Sequence, residues 1–284
     1  MTKMTQPQIP LVQLNDGTTM PQLGYGVFQV PNEETAALVK HAIDSGYRSI
    51  DTAKIYENEA GVADGIRASG IDRNELYITT KLWNDSHAAA DARAAFDRSL
   101  DLLELDHLDL YLIHWPAPHA SGKFVEAWET LLELRASGRT TSAGVSNFSI
   151  HHLETIIEAT GEKPAINQVE LHPYFQQREL RAWCADAGIA IEAWSPLGQG
   201  GELLEDEVIT AIADELAKTP AQIVIRWHLQ QGHVVIPKSA TPSRIPQNLD
   251  VFDFELTPAH LEQIAALDRG EDGRIGPDPT TAQF

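Results

Sequence analysis

Two patterns of apolar and polar positions alternate along this chain. Short β-rich apolar runs occupy residues 24–30, 47–51, 76–81, 108–114, 142–146, 165–171, 189–194 and 234–237. Between and after them lie stretches with helical period, at 33–45, 59–69, 88–105, 123–137, 150–159, 179–187 and 205–231, the last interrupted near Pro220. Gly46, Gly70, Gly138, Gly161 and Gly188 close several of these stretches, as helix stops do because glycine reaches the left-handed conformation without strain. Runs such as Leu110-Tyr111-Leu112-Ile113 are apolar throughout rather than alternating, the mark of strands buried on both faces of a parallel sheet. Roughly eight strand-then-helix units predict an α/β chain folded as a (β/α)8 TIM barrel. Ahead of them, Leu11-Val12-Gln13-Leu14, Asn15-Asp16-Gly17 and a second run to Leu23 read as a β-hairpin. A doubly wound open sheet would usually carry G-x-G-x-x-G after its first strand. In this chain Gly24 and Gly26 lack the third glycine.

Composition narrows the class. At 284 residues, one barrel accounts for the whole chain as a single domain, 1–284. Hydrophobic residues at 43% and charged residues at 22% describe an ordinary globular protein, and no apolar run reaches the roughly 20 residues of a membrane span. Lys plus Arg number 21 against 41 Asp plus Glu, a formal net charge of −20. Such a surface repels phosphate backbones and anionic lipid, which argues against nucleic-acid and membrane roles. Any anionic cofactor must then be met by basic residues gathered locally. The single cysteine, Cys184, rules out an intrachain disulfide and a multi-cysteine zinc site. Residues 1–10 lack an apolar leader pattern, and the expected location is the cytoplasm.

In a barrel, chemistry sits at the C-terminal ends of the strands. The second, third and fourth runs end at Asp51, Lys81 and His114, and the second loop adds Tyr56. Singly, each has an ordinary structural explanation: a turn cap, a rim lysine, a buried histidine, a packing aromatic. Together they place an acid, an ammonium, an imidazole and a phenol on one rim. A free phenol near pKa ~10 is a poor proton donor at neutral pH, and a nearby ammonium lowers it. A carboxylate would hold the ammonium, and a neutral imidazole could orient a carbonyl. The set suits protonation of a carbonyl oxygen as hydride arrives.

The motifs that carry these residues resemble those of the aldo-keto reductase superfamily, and within it the bacterial 2,5-diketo-D-gluconate reductase group. They are Gly46-Tyr47-Arg48-Ser49-Ile50-Asp51-Thr52-Ala53 with Tyr56, Ile78-Thr79-Thr80-Lys81-Leu82-Trp83, Leu112-Ile113-His114-Trp115-Pro116, Gly144-Val145-Ser146-Asn147-Phe148, Asn167-Gln168-Val169-Glu170 and Ile236-Pro237-Lys238-Ser239. The resemblance implies hydride transfer from NADPH to an aldehyde or ketone, with no metal. It makes Tyr56 the general acid, Lys81 the group that lowers its pKa, Asp51 the partner of Lys81, and His114 the residue that orients the carbonyl. It assigns Ser146, Asn147 and Gln168 to the nicotinamide carboxamide, Trp194 to stacking on the ring, and Ser195 and Leu197 to the pyrophosphate. Lys238, Ser239, Thr241, Arg244 and Asn248 match the segment around the adenosine phosphate. Lys238 and Arg244 supply the local positive charge that the acidic composition demands. Thr241 before Pro242 reads as the N-cap and first residue of a short helix, which Pro246 keeps short. The group often has a further arginine soon after Lys-Ser, where the positions here read Ala240-Thr241-Pro242, and Gln247 sits where an acidic residue that contacts adenine is frequent. These departures bear on how strongly NADPH is preferred over NADH.

Phe28, Trp83 and Trp115, with Ile55, would form an apolar pocket mouth for a small-molecule carbonyl substrate. The tail from Gly270 is polar and rich in Gly, Pro and Asp, an unstructured-looking run. In this superfamily the C-terminal loop shapes the pocket; a short one implies an open site, and a tail without a role is the alternative. The resemblance leans towards a monomer. A retaining glycosidase would need two close carboxylates on strand ends; Glu170 and Glu192 are the candidates, but both read as structural. A metal hydrolase lacks support, since the 11 histidines include no H-x-H or H-E-x-x-H. A catalytically weak, cofactor-binding regulatory module on the same fold is the remaining alternative, against which the intact set Asp51, Tyr56, Lys81 and His114 stands.

Overall fold

The computed structural model describes residues 9–117 and 123–282. Residues 1–8, most of the segment 1–10 read above for a leader, and the last two residues of the tail lie outside the described ones. The predicted hairpin is present: β1 (Leu11–Gln13) pairs antiparallel with β2 (Thr19–Pro21) around a turn in which Gly17 sits at φ 89°.

The remaining elements alternate as the pattern predicted. They run β3 (Tyr25–Gly26), α1 (Asn32–Ser45), β4 (Ser49–Asp51), α2 (Glu59–Ser69), β5 (Tyr77–Leu82), α3 (Ala89–Leu103), β6 (Leu108–Ile113), α4 (Phe124–Ala136), β7 (Thr140–Ser146), α5 (Ile150–Thr160), β8 (Ile166–Glu170), α6 (Arg178–Ala187) and β9 (Ala190–Trp194). Then come α7 (Glu207–Leu216), α8 (Pro220–Gln230), β10 (Val234–Val235), α9 (Arg244–Leu249) and α10 (Pro258–Ala265). Strands β3 to β10 form one eight-stranded parallel sheet in chain order. The flanks of its two end strands meet: Leu23 bridges Val235 in parallel, and Gly24 N–H donates to Val235 O at 2.9 Å.

The caps explain the boundaries. Gly46, Gly70, Gly161 and Gly188 each end a helix in the left-handed conformation. Pro220 does not kink one long helix; it starts α8, with Thr219 and Gln222 forming a capping box. The first strand is shorter than the run 24–30, because the chain turns at Gln29, φ 57°.

The core divides by layer. Strand residues facing out pack against the helices, in a cluster that includes Trp128, Phe96, Tyr111 and Ile113. Residues facing in form a second cluster: Tyr77, Leu110, Leu112, Ile166 and Val234 meet Leu14 and Met20 of the hairpin. Asn15 and Thr18 bond Pro164 O and Ser142 Oγ, at the N-terminal ends of β8 and β7. The hairpin therefore plugs the end of the barrel opposite the predicted chemistry. Gly144 on β7 permits tight packing there, since a Cβ would lie 2.7 Å from Leu112 and 2.9 Å from Ile166 O.

The described part of the tail is not the loose run its composition suggested. Backbone N–H groups of Ile275 and Gly276 donate to the two carboxylate oxygens of Glu170, at 2.6 and 2.7 Å. A Cβ on Gly276 would come within 2.5 Å of the Trp194 ring. Composition missed this docking because its partner lies more than a hundred residues away.

Candidate active site

Asp51 ends β4, Lys81 lies near the end of β5, His114 follows β6, and Tyr56 closes a one-turn 3-10 helix after β4. The structure brings all four together. Lys81 is 0% exposed and its Nζ donates to Asp51 Oδ1 at 2.6 Å and to Thr52 O at 2.8 Å. The same ammonium lies 5.1 Å from the centre of the Tyr56 ring. His114 meets Tyr56 edge to face, with ring centres 5.6 Å apart.

Electrostatics sort the roles these groups can play. Burial pulls the Lys81 ammonium down, but Asp51, Tyr56 and Glu192 lift it above its ordinary range, so it stays charged. Burial pushes the Tyr56 phenol up; Lys81 pulls it down, and Asp51 pushes it up again. The net direction is upward, where the sequence pointed to a lowered phenol. Burial is the largest single cause, and Asp51 works against the Lys81 charge. Tyr56 is thus a protonated donor at neutral pH. Burial, and then the Lys81 charge, hold His114 well below the ordinary imidazole range, so its ring is neutral. Its Nδ1 is buried and has no partner among the described residues.

The residues expected around a nicotinamide form one bonded group. Gln168 Nε2 donates to Asp51 Oδ2 at 2.9 Å and to Glu192 Oε2 at 2.8 Å. Both amide protons are spent, and the oxygen assignment follows from Asp51, whose carboxylate, paired with the Lys81 ammonium, has no proton to offer Oε1. Ser146 Oγ donates to Gln168 O. Asn147, at φ 63°, donates through Nδ2 to His114 O and Ser146 Oγ, and its Oδ1 accepts from the Trp194 indole at 2.8 Å. Trp194 is half-buried, held by Asn147 on its N–H and by the tail at Gly276. Ser195, at φ 46°, and Leu197 follow on the loop, both half-buried.

The segment after β10 is pinned through its backbone. Tyr25 and Tyr47 hydroxyls donate to Ser239 O and Ile245 O, and His41 bonds Pro242 O. Ser239 and Asn248 are buried, while Lys238, Thr241 and Arg244 are exposed. The helix does not begin at Thr241–Pro242: these residues form a turn in which Arg244 N–H donates to Thr241 O, and α9 starts at Arg244 with Ser243 as N-cap. Most of the chain's cations hold a carboxylate, as Lys40, Lys54, Arg67 and Arg73 do. Lys238 and Arg244 form no ion pair among the described residues.

Of the expected pocket aromatics, Phe28 is 45% exposed with its ring 5.0 Å from Tyr56. Trp83 is half-buried and meets His114 edge to face at 5.1 Å. Trp115 is buried, so it is not an open mouth residue. Glu170 serves the tail and His172, whose Nε2 lies 2.9 Å from it, which removes it as a glycosidase carboxylate. Glu192 was read as structural; its place beside Gln168 and Asp51 carries no local sequence signal, because it depends on strands β4, β8 and β9 meeting across the interior.

The chain as a whole is similar to known proteins. The profile of the aldo/keto reductase family matches residues 17–269. The methylglyoxal reductase DkgA of Escherichia coli K12 is 53% identical over 277 residues, 97% of this chain and 98% of that one. An aldo-keto reductase of Mycolicibacterium smegmatis is 52% identical over 275 residues, with the same coverage of 97% and 98%. Among solved structures, Gox0644 in its apo form is similar with TM-score 0.94 and 50% identity, covering 98% of this chain and 100% of that one. A mutant of Gox0644 in complex with NADPH gives TM-score 0.93 at 50% identity, again covering 98% and 100%.

Proposed function

This chain belongs to the aldo/keto reductase family, and from that premise we propose an NADPH-dependent reductase of small aldehydes and ketones in which Tyr56 is the general acid. The observation that carries the reading is the fully buried Lys81–Asp51 pair beneath a protonated Tyr56 and beside a neutral His114. Methylglyoxal is the first substrate to consider, after the E. coli relative's name, and 2,5-diketo-D-gluconate the second.

The residues present fit the cofactor. Gln168 Oε1 accepts no hydrogen bond among the described residues, which leaves an acceptor for a carboxamide N–H. Trp194 offers a ring held in place. Ser195 and Leu197 would flank the pyrophosphate. Lys238 and Arg244 are exposed cations without a carboxylate partner among the described residues, beside Ser239, Thr241 and Asn248, as an adenosine phosphate requires. NADPH supplies the hydride when bound. Tyr56 gives its proton to the carbonyl oxygen, and Lys81 stabilises the phenolate that remains. Asp51 holds Lys81 in place, and without it a buried ammonium would stand unpaired. His114, being neutral, has an N–H with which to orient the carbonyl. Phe28 and Trp83 line the apolar side, and the buried Trp115 closes the wall next to His114.

The same reading includes one domain over 1–284, a closed (β/α)8 barrel with a short C-terminal loop, and a monomer working in the cytoplasm. The parallel bridge between Leu23 and Val235 supports closure. The test is loss of nicotinamide absorbance with purified protein, over a panel of aldehydes, diketones and keto-sugars with NADPH and NADH. Turnover with NADPH is expected, fastest on small dicarbonyls. Tight NADPH binding with no turnover on any carbonyl would instead point to the regulatory module.

A further inference from the structure

Inward-facing positions of a barrel are normally filled by branched apolar side chains. Glu192, on β9, is a carboxyl at 1% exposure in that place. In register it faces Gln168 on β8 and Val234 on β10. Its hydrogen bond is to Gln168 Nε2, whose other proton goes to Asp51 on β4. β4 and β8 are four strands apart in the sheet, so this bond crosses the barrel interior. A continuous chain of contacts results, from Glu192 through Gln168 and Asp51 to Lys81 and the Tyr56 ring.

We propose that Glu192 is a positioning residue: it locks the Gln168 amide with its oxygen turned to the cofactor, and once ionised it sets a second negative charge beside the Asp51–Lys81–Tyr56 group. The proposal rests on the reading of this site as an NADPH site. With both amide protons held by carboxyl groups, Gln168 cannot rotate, and Oε1 is the one polar atom of that side chain left to a ligand. Remove the Glu192 acceptor and one amide proton is orphaned in the interior, which an amide relieves by turning.

The charge coupling follows from the same placement. The ionisable groups around Glu192 are Asp51 from β4, Lys81 and Tyr77 from β5, and Tyr56 above them. Burial, and then the Asp51 charge, push the Glu192 carboxyl up to about 8, so it is largely protonated at neutral pH. Above that range it adds a second negative charge near Asp51, which makes both Tyr56 and Lys81 hold their protons more tightly.

Two variants separate these roles. Glu192→Gln keeps an acceptor for Gln168 but never ionises; Glu192→Leu keeps the volume and loses both. Binding of NADP and of its 3-acetylpyridine analogue, whose methyl ketone cannot donate to Gln168 Oε1, is followed by tryptophan fluorescence. The parent and Glu192→Gln are expected to favour the amide by roughly ten-fold, one charge-neutral hydrogen bond, and Glu192→Leu to lose most of that preference. In the free protein, a protonated-carboxyl infrared band should vanish on raising the pH from about 6 to about 10 in the parent and be missing in Glu192→Gln. The alkaline limb of carbonyl reduction in Glu192→Gln should move to lower pH by on the order of half a unit, because the phenol no longer feels the second charge. If the parent does not bind NADP, the functional reading falls. If the parent prefers the amide and Glu192→Leu prefers it equally, the positioning role of Glu192 is overturned; if the band does not titrate in the parent, its charge coupling to the Asp51–Lys81–Tyr56 group is overturned.

Discussion

Lys81 and Arg244 are both cations in a chain whose net charge is −20, yet the protein treats them in opposite ways. Lys81 is fully buried and has Asp51 at 2.6 Å, Thr52 O at 2.8 Å and the Tyr56 ring above it. Arg244 is exposed at the start of a six-residue helix and has no carboxylate among the described residues. The contrast follows from solvation. A cation left unpaired inside a protein costs several kcal/mol, so a buried one must have its partner built in. An exposed cation costs little to leave unpaired, so it can wait for an anion that comes and goes. Charge fixed by internal partners suits a proton transfer that must be ready at every turnover. Charge left in water suits a ligand that must also leave.

The largest expected effect breaks the buried half. Tyr56→Phe removes one hydroxyl from the set and leaves Lys81, Asp51 and the 238–248 segment untouched. General acid catalysis is worth roughly a hundred- to ten-thousand-fold, so kcat for carbonyl reduction should fall by that much while NADPH binding stays within about two-fold. Fluorescence titration and steady-state kinetics read the two quantities separately. A variant that reduced aldehydes at the parent rate would remove Tyr56 as the acid.

The exposed half is tested by Arg244→Ala. A charge-assisted hydrogen bond contributes about 1.5–3 kcal/mol, which predicts a roughly ten- to hundred-fold weaker NADPH complex. NADH, which lacks the 2′-phosphate, should lose much less. Equal losses for the two cofactors would mean that Arg244 does not read that phosphate.

The same division decides what was legible in the sequence. The eight strand runs and the helix stops are written locally, in consecutive apolar residues and in glycines such as Gly46 and Gly188, and the structure has them with shifts of a few residues. The tetrad was legible because each member sits at a strand end or in the loop just beyond one, and the fold brings strand ends to one rim. What escaped was everything that depends on residues far apart in the chain meeting. The Gln168 bond to Asp51 spans 117 residues, and the tail finds Glu170 across 105 and 106. Thr241–Pro242 looked like a helix start, but Thr241 opens a turn in a segment pinned at Ser239 O, Pro242 O and Ile245 O by Tyr25, His41 and Tyr47. The upward direction of Tyr56 escaped for the same reason, since burial and Asp51 enter only with the fold.

The smallest expected effect sharpens the comparison without changing a residue. Mobile ions screen exposed charges beyond the Debye length, about 10 Å at 0.1 M and about 3 Å at 1 M, but reach buried pairs far less. If Lys238 and Arg244 meet the cofactor in water, the KM for NADPH should rise a few-fold between those ionic strengths, with the KM for NADH moving less. If Lys81 and Asp51 act from inside a closed pair, kcat at saturating NADPH should stay nearly constant over the same range. A kcat that fell in parallel with NADPH affinity would show that salt reaches the proton-transfer group, and the buried and exposed halves could not then be treated as separate electrostatic systems.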